Sequence, residues 1–223
     1  MSKRIVQILG NGDSCHFYKV APRPGLKLTC NLPPFAIHDQ VYATTIVDFK
    51  MMNAIAKQEI VVPGQWVLGM RPKVFMDKSP AIQIRHAHQI KQYYTTLPKY
   101  CPNYTDLSCG HFAVHYAAST FKPDEIHIYG FDSIFDFNLR STSDFFMHSD
   151  RENMNNYRLS NNWRPLWTGI WNEFKNIKFV LHYFHDKIAP KHGDNVHVEV
   201  YKKEMMKKIS ISLDIFYTQI VFP

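Results

Sequence analysis

Short apolar runs that each end at a small or polar residue dominate the first third of the chain and predict a series of buried β-strands. The first three runs are Ile5–Leu9, Leu26–Cys30 and residues 40–47, and they end at Gly10, Asn31 and Asp48. Residues 49–57 have a helical composition. Three further short strands, separated by Pro-Gly and Arg-Pro turns, are predicted at residues 61–62, 66–70 and 73–76.

The clearest helical pattern lies in the middle of the chain. Ser108 is a good N-cap, and small or apolar residues then recur at helical spacing at Cys109, Phe112, Ala113, Tyr116, Ala117 and Thr120. The preceding residues, 85–104, are predicted as a helix followed by a loop. A strand is predicted at Glu125–Tyr129, and a polar insert at about 133–160 then precedes a helix at 163–175 and a strand at 177–184.

These strand–turn–helix units predict an α/β, Rossmann-like fold, in which helices flank a mostly parallel central sheet. Residues 1–195 are interpreted as a single nucleotide-binding α/β domain that contains the polar insert. Residues 196–223 are interpreted as a basic, β-like C-terminal tail. For this tail we expect a final edge strand, and contact with an anionic membrane surface is the alternative.

Composition narrows the compartment and the partners. The four cysteines show no paired spacing typical of a disulfide framework, which indicates reduced thiols in a cytoplasmic protein. No apolar run approaches the ~18 residues that a membrane-spanning helix needs, and the first run is too short for a signal-peptide core. The net charge of +7 favours polyanionic partners such as nucleotides or nucleic acid, although a solvated basic surface is the commoner origin of such an excess.

A set of polar and small residues marks one edge of the predicted sheet, because ligands of open α/β sheets bind at the carboxyl ends of the strands. These residues follow the strands or begin the strong helix: Gly10, Asn11, Gly12, Asp13, Ser14, Asn31, Asp48, Ser108, Cys109, Gly110 and Asp132. Glycines let the backbone approach a phosphate, and the free N–H groups of a helix start attract an anion. The sequence therefore predicts a nucleotide site here, and an ordinary Asn-Gly turn is the alternative.

Two common nucleotide motifs are absent from the chain. It contains no Gly-x-Gly-x-x-Gly, which argues against a dinucleotide cofactor, and no Gly-x-x-x-x-Gly-Lys-Ser/Thr, which argues against a P-loop.

The order of the polar motifs resembles that of the bacterial sialyltransferases. The chain reads Ile-Leu-Gly-Asn-Gly-Asp-Ser, then Cys-Asn at Asn31, then Ser-Cys-Gly-His-Phe-Ala, then Glu-Ile-His-Ile-Tyr-Gly-Phe-Asp. Those enzymes carry Gly-Asn-Gly-Pro-Ser after an apolar strand, Arg/Cys-Asn after the second strand, a Ser-Gly helix and a strand ending in Gly-Ile-Asp. The resemblance spans roughly residues 4–136 and extends to phage and bacterial proteins of unassigned role, and more distantly to the pterin diphosphokinases.

The resemblance implies a glycosyltransferase that transfers a CMP-activated sugar to an acceptor hydroxyl with inversion, without a required cofactor or metal. Asn11 and Ser14 would contact the phosphate or ribose, Asn31 the nucleotide, and Cys109 and Gly110 the base or ribose through their backbone. His148 and Asp132 are the candidate catalytic residues, with His148 in the place of the family's base. The acceptor is left open among a glycan, a lipid and a DNA-linked hydroxyl, as is the oligomeric state.

Two departures from the family pattern keep other functions open. Asp13 stands where the family has proline, and no tyrosine follows Asp132 closely. One alternative is therefore a Mg²⁺-dependent diphosphate or nucleotidyl transferase, in which Asp13, Asp48 and Asp132 hold the metal. The other is a catalytically degenerate nucleotide- or nucleic-acid-binding module.

Histidines and tryptophans offer weaker signals. His111 and His115 have one-face helical spacing suited to a metal, but partly exposed helix histidines are the favoured interpretation. Two further sets with metal-ligating side chains are His86 with His88, and His182 with His185 and Asp186. The row Trp163, Trp167 and Trp171 favours core packing over a sugar-stacking platform.

Overall fold

The computed structural model describes residues 3–20, 23–33, 35–37, 40–135, 163–183 and 192–201. His148, His185, Asp186, most of the polar insert and residues 202–223 of the tail lie outside these ranges.

A single sheet of eight parallel strands forms the centre of the described part of the chain. The strands are β1 (Ile5–Leu9), β2 (Leu26–Cys30), β3 (Ala43–Ile46), β4 (Trp66–Leu68), β5 (Ile90–Tyr93), β6 (Glu125–Tyr129), β7 (Lys178–Tyr183) and β8 (Val196–Val200). Their order across the sheet is β5-β4-β3-β2-β1-β6-β7-β8. The α/β, Rossmann-like prediction is therefore confirmed.

Helices connect the parallel strands, as the crossover between parallel neighbours requires. They are α1 (Phe17–Val20), α2 (Phe49–Ala56), α3 (Met70–Asp77), α4 (Pro80–His86), α5 (Cys109–Phe121) and α6 (Arg164–Glu173). One-turn 3₁₀ helices at Asp13–His16 and Asp132–Ile134 follow β1 and β6. The residues 196–200 assigned to the tail form β8, which pairs with β7 in the same sheet.

The main core lies between one face of the sheet and helices α5 and α6. Along β1, Val6 and Ile8 belong to this core, whereas Leu9 belongs to a separate cluster with Phe17 and Tyr129. Because successive side chains of a strand point to opposite faces, β1 is covered on both sides, which explains its apolar sequence. Trp167 and Trp171 of α6 are buried in the main core, so the packing interpretation of the tryptophan row holds for these two.

Two predicted elements are wrong, and both lie between β3 and α5. Residues 73–76, predicted as a strand, belong to helix α3. The apolar run at residues 74–76 is too short to distinguish a strand from a helix. Residues 61–62 form no strand. The segment 85–104, predicted as a helix and a loop, contains the end of α4 and also strand β5, whose Ile-Lys-Gln-Tyr sequence is polar because β5 is an edge strand.

Candidate functional site

The strand order reverses between β1 and β6, which are neighbours although β2 follows β1 in the chain. Connections from these two strands leave towards opposite sides of the sheet, so a crevice is expected at their carboxyl ends. Residues 10–14, called the glycine turn below, follow β1 at this point. Gly130, Phe131 and Asp132 follow β6 at the same point. The sequence-predicted phosphate-binding turn therefore lies at the switch point of the sheet.

The glycines of this turn are required by the close approach of the two strand ends. The N–H of Gly10 donates to Tyr129 O (2.7 Å), and the N–H of Gly12 donates to Gly130 O (2.9 Å). A Cβ atom at Gly10 would lie 2.6 Å from Gly130 O, and one at Gly12 would lie 2.4 Å from Asp132 Oδ2. Any side chain at either position would force the strand ends apart.

Asp132 and Ser14 hold the glycine turn from inside. The Ser14 N–H donates to Asp132 Oδ2 at 3.0 Å. Ser14 has no exposed surface and Asp132 is 5% exposed. Ser14, predicted to contact the ligand, and Asp132, predicted to be catalytic, are therefore both buried in this structure. The Asp132 carboxylate holds the turn through the Ser14 N–H.

Phe131 lies between the glycine turn and the first turn of α5, and sequence reasoning did not single it out. Its ring carbons Cε2 and Cε1 lie 2.8 Å and 2.3 Å from the Cβ positions that Gly10 and Gly110 lack. The glycine turn and the start of α5 therefore enclose one aromatic ring. The sequence signal that could have revealed Phe131 is the pair of glycines, Gly10 and Gly110, because each leaves room for its ring.

Asn31 joins this group from the end of β2. Its backbone is left-handed, with φ of 53°, and its N–H donates to Thr45 O at 3.1 Å. The preceding residue, Cys30, lies with its Sγ 3.8 Å from Cys109 O in the first turn of α5. The Asn31 side-chain oxygen is buried and has no hydrogen-bond partner among the described residues. Asn31 thus presents an unsatisfied acceptor at the end of β2, directly after the residue that contacts the start of α5.

The start of α5 is a well-capped helix terminus. The Ser108 side chain accepts a hydrogen bond from the His111 N–H, and the His111 ring accepts one from the Ser108 N–H. The N–H groups of Cys109 and Gly110 have no hydrogen-bond partner within the described ranges. Free first-turn N–H groups of a 13-residue helix carry partial positive charge and favour an anion. Asn11, which is half-buried, lies in the glycine turn nearby.

Asp48 lies two strands from β1 and makes a different contact. It precedes α2 at the end of β3, and Arg71 Nη2 donates to its Oδ1 at 2.8 Å. Asp48, Asp13 and Asp132 therefore do not come together around a common point in the way the Mg²⁺ alternative requires. Within the described ranges, no group of three His, Cys, Asp or Glu side chains is arranged to hold a metal ion.

The helix histidines are buried, and the expectation that they are partly exposed is wrong. His111 has no exposed surface and His115 is 3% exposed. Burial lowers the pKa of His111 to about 3, and the hydrogen bond to Trp163 O opposes this only partly. His115 Nδ1 lies 3.0 Å from Tyr94 Oη, and its Nε2 lies 3.3 Å from Glu173 Oε2. Both rings have protein partners and act in packing.

The thiols beside the site are protonated at neutral pH. Burial raises the pKa of Cys109 well above its usual value, and burial and then Asp132 do the same for Cys15. Cys109 Sγ donates to Thr45 O at 3.0 Å. These cysteines are structural groups and not nucleophiles.

Comparison of the chain with family models, with curated proteins and with solved structures finds no match. Among the described residues, no helix combines the length and the apolar character needed to cross a membrane.

Proposed function

We propose that this chain is a glycosyltransferase that binds a CMP-activated sugar at the switch point and transfers the sugar to an acceptor hydroxyl with inversion. The observation that carries the proposal is the buried and unpartnered side-chain oxygen of Asn31, whose neighbour Cys30 contacts the start of α5. An acceptor in this position fits a nucleotide hydroxyl or amino group as its donor. The motif order in the sequence supports cytidine as the nucleotide.

The phosphate of the donor is assigned to the space outside the glycine turn and the first turn of α5. The free N–H groups of Cys109 and Gly110, together with the helix dipole, would stabilise its negative charge. Asn11 is assigned to the phosphate or ribose; like Asp13, it is a half-buried residue of the glycine turn. Ser14 is not assigned a contact, because its side chain is fully buried.

Phe131 limits how a nucleotide enters. Its ring already contacts the two glycines that line the crevice, so the ligand either lies against the outer edge of the ring or displaces it. A planar base against an aromatic ring is a favourable arrangement. The second route would also disturb Trp167, whose ring centroid lies 5.9 Å from that of Phe131.

In the transfer, the bond from the sugar to the phosphate oxygen breaks while the acceptor oxygen forms its bond to the same carbon from the opposite side. The phosphate leaves with the bonding electrons, and stabilising it there is the task of the α5 amides. The acceptor hydroxyl loses its proton to a base. That base is assigned to His148, which lies outside the described residues, and Asp132 is assigned a positioning role.

Nucleotide binding tests the proposal directly. Isothermal titration with CMP, CDP, UDP and GDP, each with and without Mg²⁺, should show binding of CMP that does not depend on the metal. Asn31→Gly removes the amide but suits the left-handed backbone, and it should weaken CMP binding about tenfold or more. Gln58→Gly is the matched control, because Gln58 is also left-handed (φ 62°) and exposed. Equal CMP affinity in the two variants would contradict the proposal.

A non-catalytic nucleotide-binding module is the second candidate, and the burial of Asp132 favours it. A carboxylate that is committed to the Ser14 N–H is not free to take part in transfer. This candidate predicts CMP binding without turnover. Release of free sugar from a CMP-sugar by the wild type but not by His148→Ala would exclude it.

A further inference from the structure

A continuous chain of hydrogen bonds, buried at its two histidines and part-buried at Tyr201 and Glu199, crosses the face of the sheet opposite α5. It joins Glu125 Oε2 to His127 Nε2 (3.2 Å), His127 Nδ1 to His182 Nε2 (3.0 Å), His182 Nδ1 to Tyr201 Oη (2.9 Å) and Tyr201 Oη to Glu199 Oε2 (3.3 Å). His127 and His182 are 1% and 2% exposed. These five residues are called the histidine chain below, and the proposed transfer uses none of them.

The contact between the two imidazoles limits where the protons can be, because one facing nitrogen must donate and the other must accept. With both rings neutral and Glu125 ionised, His127 donates to Glu125 and His182 donates to His127. Tyr201 must then donate to His182. A phenol has one proton, so Glu199 receives none from Tyr201 in this state, although the two oxygen atoms are in contact.

One additional proton reverses the chain and satisfies every contact. Tyr201 then donates to Glu199, His182 donates to Tyr201 through Nδ1, and His127 donates to both His182 and Glu125. The resulting imidazolium is His127, which contacts the carboxylate of Glu125, while the carboxylate of Glu199 lies at the other end of the hydrogen-bonded chain. A second proton would place N–H groups on both facing nitrogens and break the central hydrogen bond. The geometry therefore accommodates one proton and not two.

Charged and titratable groups surround the histidine chain on all sides. Those that face it or lie on the same face are Lys3, Lys178, Arg23, Tyr18, Tyr129 and His197, in addition to the chain members Glu125, Glu199 and Tyr201. Lys3 pairs with Glu125 at 2.6 Å, and Arg23 pairs with Glu199 at 3.1 Å. Burial lowers the pKa of both histidines, and it lowers that of His182 to about 3. The neutral direction therefore prevails at pH 7, and the reversed direction appears in acid.

The histidine chain contacts the glycine turn through two aromatic stacks. The His182 ring stacks on Tyr129 with centroids 3.9 Å apart, and the Tyr129 carbonyl accepts the hydrogen bond of Gly10. Tyr201 stacks on Phe17 at 4.1 Å, and Phe17 begins α1, directly after the 3₁₀ helix that contains Asp13 and Ser14. The ring that takes up the proton, His127, lies beside His182, with the two ring centroids 5.3 Å apart, and it precedes Tyr129 by two residues in β6.

We propose that the histidine chain is a one-proton binding site that regulates anion binding at the glycine turn. Uptake of the proton reverses the hydrogen bonds and places positive charge on His127, two residues before the strand end that holds the turn, which strengthens the binding of a phosphate. By linkage, a bound phosphate strengthens proton uptake by the same factor. The regulatory half of this proposal rests on the proposed nucleotide function, whereas the proton site itself does not.

The proton site is tested by long-range ¹H–¹⁵N NMR spectra of the histidine rings in the full chain, followed from pH 8 to the onset of acid unfolding. We expect the Nε2–H tautomer of both His127 and His182 at pH 8. Both rings should then change at one shared pH, and together they should take up one proton. Independent titration of the two rings, uptake of two protons, or neutral rings down to the pH of unfolding would overturn the proton site.

Two glutamine variants separate the charge of the histidine chain from its packing. Glu199→Gln keeps an acceptor for Tyr201 but removes a negative charge, so the shared titration should move to lower pH by roughly half a unit or more. Glu173→Gln is the control, because Glu173 pairs with His115 and Tyr100 on the α5 side of the sheet. An equal shift in both variants would count against the assignment.

The coupling is tested by measuring CMP affinity as a function of pH in the wild type and in His182→Gln. The phosphate of CMP also titrates, so the variant serves as the reference that shows how much of the pH dependence comes from the ligand. For a positive charge on His127, we expect acidification to raise the wild-type affinity about twofold to fivefold above the reference. Identical pH profiles would overturn the regulation. Failure of CMP to bind at any pH would reject both the proposed function and this regulation, while the NMR titration would still decide the proton site.

Discussion

Gly12 and Asp132 illustrate how strongly single residues determine the shape of the candidate site. The missing Cβ of Gly12 would lie 2.4 Å from the Asp132 carboxylate that accepts the Ser14 N–H. The glycine and the carboxylate therefore depend on each other. This dependence can be measured without any knowledge of the ligand.

Gly12→Ala should lower the free energy of unfolding by about 2–4 kcal/mol, because either the strand ends or the carboxylate must move. Gly193→Ala is the control, since the nearest atom to its added Cβ is a side-chain oxygen 3.2 Å away. Urea unfolding of Gly12→Ala, Asp132→Ala and the double variant measures the coupling. If the two losses simply add, the two residues are not in contact as described.

Ser14→Ala separates a buried structural serine from a ligand contact. The Ser14 hydroxyl has no hydrogen-bond partner among the described residues, so its removal should leave the stability unchanged or raise it by up to about 1 kcal/mol. CMP affinity, measured by calorimetry, should not change. A large loss of CMP affinity with unchanged stability would show that the hydroxyl reaches the nucleotide after all.

Helix α5 is the element that brings the sequence-predicted residues together. Its first turn packs against Cys30 and Thr45 at the ends of β2 and β3, and its Gly110 lies against Phe131. The helix is also the element whose sequence signal was strongest. The quality of its N-terminal cap therefore bears on both the fold and the site.

Ser108→Ala should destabilise the protein by about 1 kcal/mol, since the side chain accepts the N–H of His111 at the start of the helix. Ser79→Ala is the matched control, because Ser79 occupies the same cap position of α4 but makes no side-chain cap hydrogen bond. Thermal or urea unfolding should show a loss only for the first variant. Equal losses would mean that the cap geometry of α5 does not contribute.

The elements that were predicted well from the sequence are those that are buried over most of their length by neighbouring strands and helices. Strands β1, β2 and β6 have the predicted bounds, and all three lie at the centre of the sheet. Strand β5 was missed because it lies at the edge of the sheet, where Lys91 and Gln92 remain exposed. The strand predicted at 73–76 was wrong because these residues belong to a helix that begins at Met70, and three apolar residues after Lys73 are too few to reveal its period.

The site was predictable in its location but not in its details. Five segments that are distant in the sequence were predicted to meet at one edge of the sheet, because ligands bind where parallel strands end. Four of them, the glycine turn, Asn31, the start of α5 and Asp132, do lie together. Asp48 instead pairs with Arg71. The burial of Ser14 and the position of Phe131 depend on contacts between distant segments, which no local pattern records.

At the scale of the whole molecule, the buried histidines make stability depend on pH. His111 is neutral in the folded protein because burial lowers its pKa to about 3, whereas the unfolded chain titrates near the ordinary value of ~6.5. Between these two values the unfolded state binds a proton that the folded state does not. Stability should therefore fall as the pH decreases through this window, by about 1.4 kcal/mol per pH unit for this residue.

His111→Gln tests the assignment of this loss. Glutamine is a standard partner at this position of a capping box, so it can still accept the Ser108 N–H, and it does not titrate. Urea unfolding at pH 7, 6 and 5 should show a shallower decrease for His111→Gln than for the wild type, even if the variant is less stable at pH 7 because it loses the contact with Trp167. His86→Gln is the control for removing a histidine that lies outside α5. Parallel slopes in all three proteins would mean that another group takes up the proton on unfolding. The histidine chain on the opposite face of the sheet would then be the next candidate, because burial also lowers the pKa of its two imidazoles.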